Sequence, residues 1–212
     1  MTGPILRAQQ LVFSYPARHV FNGWSADFGA GLSWLRGPNG SGKSTLLQLM
    51  AGALPLRSGA LVVNGIDMSQ DPLGYRREVF WCGSGSIAFD HLRAPEYFGF
   101  MRSLYPRFDA EALAAHIEGF GLAPHLDLRL ATLSAGTQRK VWLAAALVAN
   151  TATVLIDEPV NALDVASLAY LHGVLMRCAA DPAHAWIVSS HEPLGGAGEH
   201  ARVLDLSGSC PW

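Results

Sequence analysis

The 212-residue chain is poor in the residues that staple small secreted domains or coat nucleic-acid-binding surfaces. Its three cysteines, Cys82, Cys178 and Cys210, are odd in number, far apart and without CxxC spacing. That argues against a disulfide framework or a zinc site and fits a reducing compartment. Lysine is nearly absent: Lys43 and Lys140 stand against thirteen arginines. Charged residues make up 15% of the chain and the formal net charge is −2. A broad polyanion-binding surface is therefore unexpected, and with it a nucleic-acid partner, while one local phosphate site stays open. No apolar run approaches the ~20 residues needed to cross a bilayer. The longest, Val141 to Ala149, has the length of a buried helix segment. The opening MTGPILRAQQLVFSYP has no basic stretch followed by an apolar run, so no signal peptide is expected. The ending SGSCPW leaves little expectation of an added regulatory domain.

What the chain does have is apolar content, 50% of residues with a mean hydropathy of +0.21. Either a large core or a surface covered by a partner accounts for that. At one domain per ~150 residues the length implies one large domain with room for a sub-lobe. Such a chain buries roughly 70% of its extended surface and needs no staple.

Leu6–Ser14 and Val20–Phe28 read as strands joined by a turn around Pro16. Leu32–Arg36 is a short apolar strand ending at Gly37, and a helix from about Lys43 to Gly52 carries leucines at 46, 47 and 49 on its buried side. Ala60–Asn64 is a further strand. Residues from about 85 to 140 differ in character, with a helix from Pro95 to Leu104 and another, Ala110–Gly119, capped by Asp109. They look like an inserted helical lobe. Alternation then resumes: helix Ala135–Asn150, strand Ala152–Ile156, helix Val165–Cys178, and strands Ala185–Ser189 and Arg202–Leu206. Apolar strands alternating with helices imply an α/β fold whose parallel sheet is covered on both faces.

Gly37-Pro38-Asn39-Gly40-Ser41-Gly42-Lys43-Ser44-Thr45 matches GxxxxGK[ST] in full, after a strand and before a helix. Glycines let successive backbone N–H groups face one phosphate, and the helix N-terminus adds partial positive charge. Lys43 is placed to reach the β- and γ-phosphates of a nucleotide, and the Ser44 hydroxyl to ligate Mg²⁺. Arginine could not replace Lys43 as a compact ammonium inside such a loop. Further on, Thr153-Val-Leu-Ile-Asp157-Glu158 is an apolar strand ending in two acids. Asp157 fits the support of Mg²⁺, and Glu158 can polarise an attacking water as general base.

The residues now reached resemble the ATP-binding-cassette (ABC) ATPases. Leu133-Ser134-Ala135-Gly136-Thr137 resembles their signature motif, LSGGQ, and ends 20 residues before Asp157. Asn161-Ala162-Leu163-Asp164 resembles the D-loop, and His191, 33 residues after Glu158, the switch histidine. Tyr15 resembles the aromatic residue that stacks on adenine. The resemblance implies a phosphate-loop NTPase core of RecA-like type, an antiparallel β subdomain and an inserted α-helical subdomain, all within residues 1–212. It implies ATP and Mg²⁺ as cofactors and a head-to-tail homodimer or heterodimer of cassettes. Ser134 and the Gly136 N–H would then contact the γ-phosphate in trans, His191 would sense it, and Asp164 would couple the two sites. It also implies a separate membrane-spanning permease and a peripheral place on the cytoplasmic face of the inner or plasma membrane. A groove beside residues 84–105 would dock a helix of that permease through Trp81, Phe89, Tyr97, Phe98, Phe100 and Met101. FMRSLYPRFDAEAL, the LSAG stretch and HEPL resemble compact exporter ATPases, of drug, peptide or lipid efflux or of haem export in cytochrome c maturation.

The chain departs from the family pattern twice. Ala135 and Thr137 replace glycine and glutamine of the signature, as in several efflux ATPases. The family's glutamine after the strand entering the helical lobe is absent from Val79–Ile87, where Ser84 is the best positional match, with Gly83 and Gly85 as alternatives. A serine hydroxyl falls about two bonds short of a glutamine amide, so slower or less tightly coupled hydrolysis is expected. Ser84→Gln should accordingly raise ATP turnover in the assembled transporter, read as phosphate release. The missing glutamine also leaves open a poorly hydrolysing regulatory subunit paired with an active cassette.

Overall fold

The computed structural model describes residues 3–16, 18–83 and 89–206. Ser84 and Gly85 lie outside them. Two sheets organise the chain. The first is antiparallel, in the order β2-β1-β4-β5, from β1 (Leu6–Tyr15), β2 (Arg18–Phe28), β4 (Ser58–Val63) and β5 (Ile66–Asp67). The second is parallel throughout, in the order β6-β7-β8-β3-β9, from β3 (Gly31–Arg36), β6 (Val79–Cys82), β7 (Thr153–Asp157), β8 (Ala185–Ser189) and β9 (Arg202–Asp205).

The apolar runs of the parallel strands are divided between two cores. Val154 and Ile156 of β7, with Trp186 and Val188 of β8, join a core built with α3 (Ala94–Leu104), α5 (Ala135–Leu147) and α6 (Val165–Ala179). Leu155 and Ile187 point the other way, into a core shared with α1 (Lys43–Met50) and the antiparallel sheet. A sheet buried on both faces needs apolar residues at every position rather than at alternate ones. Among the described residues the exposed large apolar side chains include Leu73, Leu128, Val165 and Val203, together with Phe100 and Leu104, one turn apart on α3.

In β1 the buried positions change phase, from Leu6 and Ala8 to Leu11 and Phe13. The register shifts between Ala8 and Leu11, and Gln10 has φ 49°. This bulge inserts one residue and moves the apolar set back to the core face. Gly59 of β4 lies opposite, and a Cβ there would stand 2.7 Å from the carbonyl oxygens of both Gln9 and Gln10.

Among the described residues, β5, α2 (Pro72–Arg77), α7 (Ala197–His200) and two 3-10 turns (Ala123–His125 and Leu130–Thr132) have no counterpart in the sequence expectations. Each is too short for hydrophobic periodicity to register. Asp71 caps α2 by accepting from the Gly74 N–H at 2.8 Å. Tyr75 of α2 is fully buried and its hydroxyl donates to the Met50 carbonyl at the end of α1 at 2.7 Å. Tyr75→Phe leaves that carbonyl unsatisfied and is expected to cost about 1–3 kcal/mol of unfolding free energy, read by denaturant titration. Helix α4 (Ala112–Gly119) begins two residues later than expected, yet Asp109 still accepts from the N–H groups of Glu111 (3.0 Å) and Ala112 (2.9 Å).

Candidate functional site

Strand β3 feeds the loop Gly37–Gly42, and α1 starts at Lys43. Gly40 (φ 80°) and Gly42 (φ 95°) adopt the left-handed conformation that favours glycine. A Cβ at Gly42 would meet Val20 Cγ1 at 2.9 Å and Phe21 Cζ at 3.1 Å, so the loop lies flat on the hairpin. The Ser41 N–H donates to the Pro38 carbonyl at 3.1 Å, closing the curl. Ser41 Oγ is buried without a hydrogen-bond partner among the described residues. The first N–H groups of α1, at Lys43, Ser44 and Thr45, have no intrahelical acceptor and face the same place.

Lys43 is 5% exposed. Its Nζ donates to Gly37 O at 2.8 Å and Pro38 O at 3.3 Å, and lies 3.4 Å from Glu158 Oε1. Glu158 follows β7 with φ 49°, an unusual conformation for a non-glycine residue. Its N–H is held by Ser189 at the end of β8, through the carbonyl at 3.0 Å and Oγ at 3.1 Å. Its Oε2 lies 2.8 Å from His191 Nδ1. Thus one carboxylate stands between an ammonium and an imidazole. Asp157 is 3% exposed, and its Oδ1 accepts from Ser189 Oγ at 2.6 Å. The parallel register pairs Asp157 with Ser189, so one serine orients both acids.

Lys43, Glu158 and His191 line one cleft of about 300 Å³, together with Tyr15, Asn39, Gly40, Gly42, Ser44 and Thr45, whereas Asp157 and Ser189 are buried and do not line it. The Tyr15 ring is edge-on to Phe13, with centroids 5.0 Å apart, and its hydroxyl is 3.3 Å from Thr45 Oγ1. Tyr15 is 42% exposed, an open aromatic face at the cleft. Among the described residues no group of three or more His, Cys, Asp or Glu side chains could hold a metal ion. The donor set of one hydroxyl and one carboxylate, Ser44 and Asp157, suits Mg²⁺, which keeps waters and phosphate oxygens as its other ligands.

Ser134 and Gly136 do not line this cleft. They stand at the N-terminus of α5, where Ser134 caps the helix by accepting from the Thr137 N–H at 3.1 Å. Thr137 Oγ1 is 2.9 Å from Ser134 Oγ, so the threonine that replaces glutamine buttresses the cap. Ala135 is exposed. Gly136 packs directly against the Ala162 carbonyl oxygen. Lys140, one turn on, forms an ion pair with Asp164, which also caps α6 by accepting from the Ser167 N–H at 2.8 Å. The Lys140 hydrogen bond, then those from Ser167, hold the Asp164 carboxyl well below the usual range. A depressed carboxyl stabilises the fold above its ordinary pKa of about 4 and loses that contribution only as pH falls through the lowered value.

A family model described as ABC transporter matches residues 25–161. The chain belongs to the ATP-binding subunits of ABC transporters. A protein of Cupriavidus pinatubonensis named cytochrome c biogenesis ATP-binding export protein CcmA is 32% identical over 98% of this chain and 91% of its own length. One of Pseudomonas savastanoi with the same name is 32% identical over 96% of this chain and 95% of its own. The CcmA 1 protein of Salmonella typhimurium is 33% identical over 96% and 98%. Among solved structures, an ATP-binding subunit of an ABC transporter superposes with TM-score 0.84 at 25% identity, covering 96% of this chain and 86% of that one. A putative ABC transporter ATP-binding protein from Pyrococcus furiosus gives 0.77 at 24% identity, covering 97% and 99%.

Within this ABC subunit the structure adds residues that the motifs did not point to. Arg18 lines the cleft and donates through Nη2 to Gly40 O at 2.6 Å. The hairpin register pairs it with Tyr15, and only that pairing brings it to the phosphate loop. Asn161, which does belong to a motif, the D-loop stretch 161–164, also lines the cleft, whereas Asp164 does not. Ser189 is visible only through the β7–β8 register. A second, apolar cavity of about 370 Å³ lies between β6, α3 and α5. Of the six residues expected to form a groove here, Trp81, Phe89, Tyr97, Phe100 and Met101 line it. Phe98 does not, because it is 5% exposed and packed into the core instead.

Proposed function

We propose that residues 1–212 form one ATP-hydrolysing cassette, with its helical lobe at about 85–140, that powers an exporter through a separate membrane-spanning partner. The observation that carries this reading is the convergence of Lys43, Glu158 and His191 at 3.4 and 2.8 Å in a cleft closed by a phosphate loop. Bound MgATP would supply the scissile phosphoanhydride and the charge that neutralises it. Lys43 and the amides of Gly40 to Thr45 hold the β- and γ-phosphates, joined by Gly37, Pro38 and Asn39, which shape the curl. Lys43 exchanges Glu158 for phosphate oxygens as it does so. Ser44 and Asp157 hold Mg²⁺, and Tyr15 stacks on the base. Glu158 accepts the proton of the attacking water, oriented by His191 through the 2.8 Å contact to Nδ1. His191 keeps enough exposure, 39% of its side chain, to reach a γ-phosphate as well.

Ser134 and Gly136 lie away from the cleft of their own chain. They would complete the cleft of a second cassette, identical or not, where a helix N-terminus favours an anion. Asp164 would report that contact along α6. The apolar cavity at Trp81 and Phe100 would receive a cytoplasmic helix of the permease, placing the chain on the cytoplasmic face of the membrane. Among the described residues no helix is long and apolar enough to cross it. Export, in the context of cytochrome c biogenesis, is the direction that the names of the relatives support.

Phosphate release from MgATP by the purified chain tests this reading. Release that rises faster than linearly with protein concentration is expected, because each site needs a second copy. Nucleotide binding without release would favour the poorly hydrolysing regulatory subunit instead.

A further inference from the structure

Arg139 is 4% exposed, on the buried face of α5, one turn beyond the signature serine. Its guanidinium is inserted between the C-terminal ends of two neighbouring parallel strands. Nη2 donates to the carbonyl of Asp157, at the end of β7. Nη1 donates to the carbonyl of Gly83, just past β6, and lies 3.7 Å from Cys82 Sγ. Nε is buried with no partner among the described residues, and no carboxylate there lies in ion-pair range. The Cys82 thiol offers no counter-charge, since burial pushes its pKa up.

A guanidinium sealed from water without a carboxylate partner is costly, and an apolar side chain of similar volume would fill the space more cheaply. What an apolar side chain cannot do is bind two main-chain carbonyls in one rigid fork. Those two carbonyls belong to the residues that matter most. One is the carbonyl of the Asp157–Glu158 peptide itself. The other opens the segment in which the family's glutamine is missing. The fork arises from the helix that presents Ser134 and Gly136.

We propose that Arg139 is a positioning residue, which ties the signature helix to the Asp157–Glu158 turn and to the start of the 83–89 segment. It links these three parts through the main-chain carbonyls of Gly83 and Asp157. The inference rests on the catalytic reading of Asp157 and Glu158. Arg139 does not line the nucleotide cleft; it holds the strand end from which Glu158 reaches its partners. A displacement of that end by a fraction of an ångström acts on the geometry of proton transfer rather than on nucleotide affinity.

The test uses the full chain with Arg139→Met and Arg139→Lys. Steady-state phosphate release should show kcat reduced at least about tenfold in Arg139→Met, with KM for MgATP within about twofold. Arg139→Lys, which can still donate to one or both carbonyls, should recover part of kcat. Hydrogen exchange without nucleotide should be faster in Arg139→Met at residues 79–83 and 153–158 and unchanged in β1 and β2. Arg139→Met with kcat within twofold of the parent overturns the proposal. So does a parallel loss of kcat, KM and thermal stability that lysine does not relieve, or exchange unchanged at both strand ends. A parent chain that binds but does not hydrolyse MgATP counts against the catalytic reading, and the exchange measurement then still decides whether the clamp exists.

Discussion

Glu158→Gln is expected to lower MgATP turnover by about 10²–10⁴-fold, the usual worth of a positioned general base. The amide has the shape of the carboxylate and can keep the hydrogen bond to His191 Nδ1, now 2.8 Å from Oε2. It cannot take a proton from water. It also removes the negative charge that lies 3.4 Å from Lys43 Nζ. Lys43 then keeps only the carbonyls of Gly37 and Pro38 as partners, and its charge is released for phosphate. Nucleotide affinity should therefore hold or rise while turnover collapses. Phosphate release and fluorescent-nucleotide titration of the same preparation measure the two halves. Light scattering with ATP should also show a longer-lived dimer, because closure is no longer followed by hydrolysis. Turnover within tenfold of the parent would mean that another group takes the proton, and parallel loss of binding would mean that Glu158 shapes the cleft instead.

Gly136→Ala is the second large effect. At the start of α5 a Cβ would fall well inside contact distance of the Ala162 carbonyl oxygen. That obstacle is backbone, and Ala162 is already in a left-handed conformation with φ 63°, so it has little room to retreat. Overpacking of this kind costs about 1–3 kcal/mol, which lowers the thermal midpoint by about 2–4 °C per kcal/mol in a chain of this size. The strain is relieved by moving the 161–164 turn away from α5, against the pull of the Lys140–Asp164 ion pair. Turnover should fall further than stability does, since both sides of the displaced contact belong to the proposed dimer face. Calorimetry together with phosphate release separates the two. The neighbouring Ala135, by contrast, is an exposed residue.

The phosphate loop, the acid pair after β7 and the family could all be read from the chain itself, because each is a local pattern. GxxxxGK[ST] works through consecutive backbone amides, and a buried strand ending in acids is written in consecutive side chains. The parallel core was equally legible from its uninterrupted apolar runs. Register was not. That Ser189 serves both Asp157 and Glu158, that Arg18 arrives beside Tyr15 at Gly40, and that Gln10 makes a bulge against Gly59 all depend on which residues of distant strands stand side by side. The same holds for Arg139. Within the motif it looks like one more charged residue after the signature, and only the packing of α5 on β6 and β7 turns it inward. The chemistry of each group was determined by the sequence alone. Which groups share a carboxylate, a carbonyl or a cleft was decided by tertiary structure, because strand register and helix packing are set by the fit of whole faces rather than by neighbours along the chain.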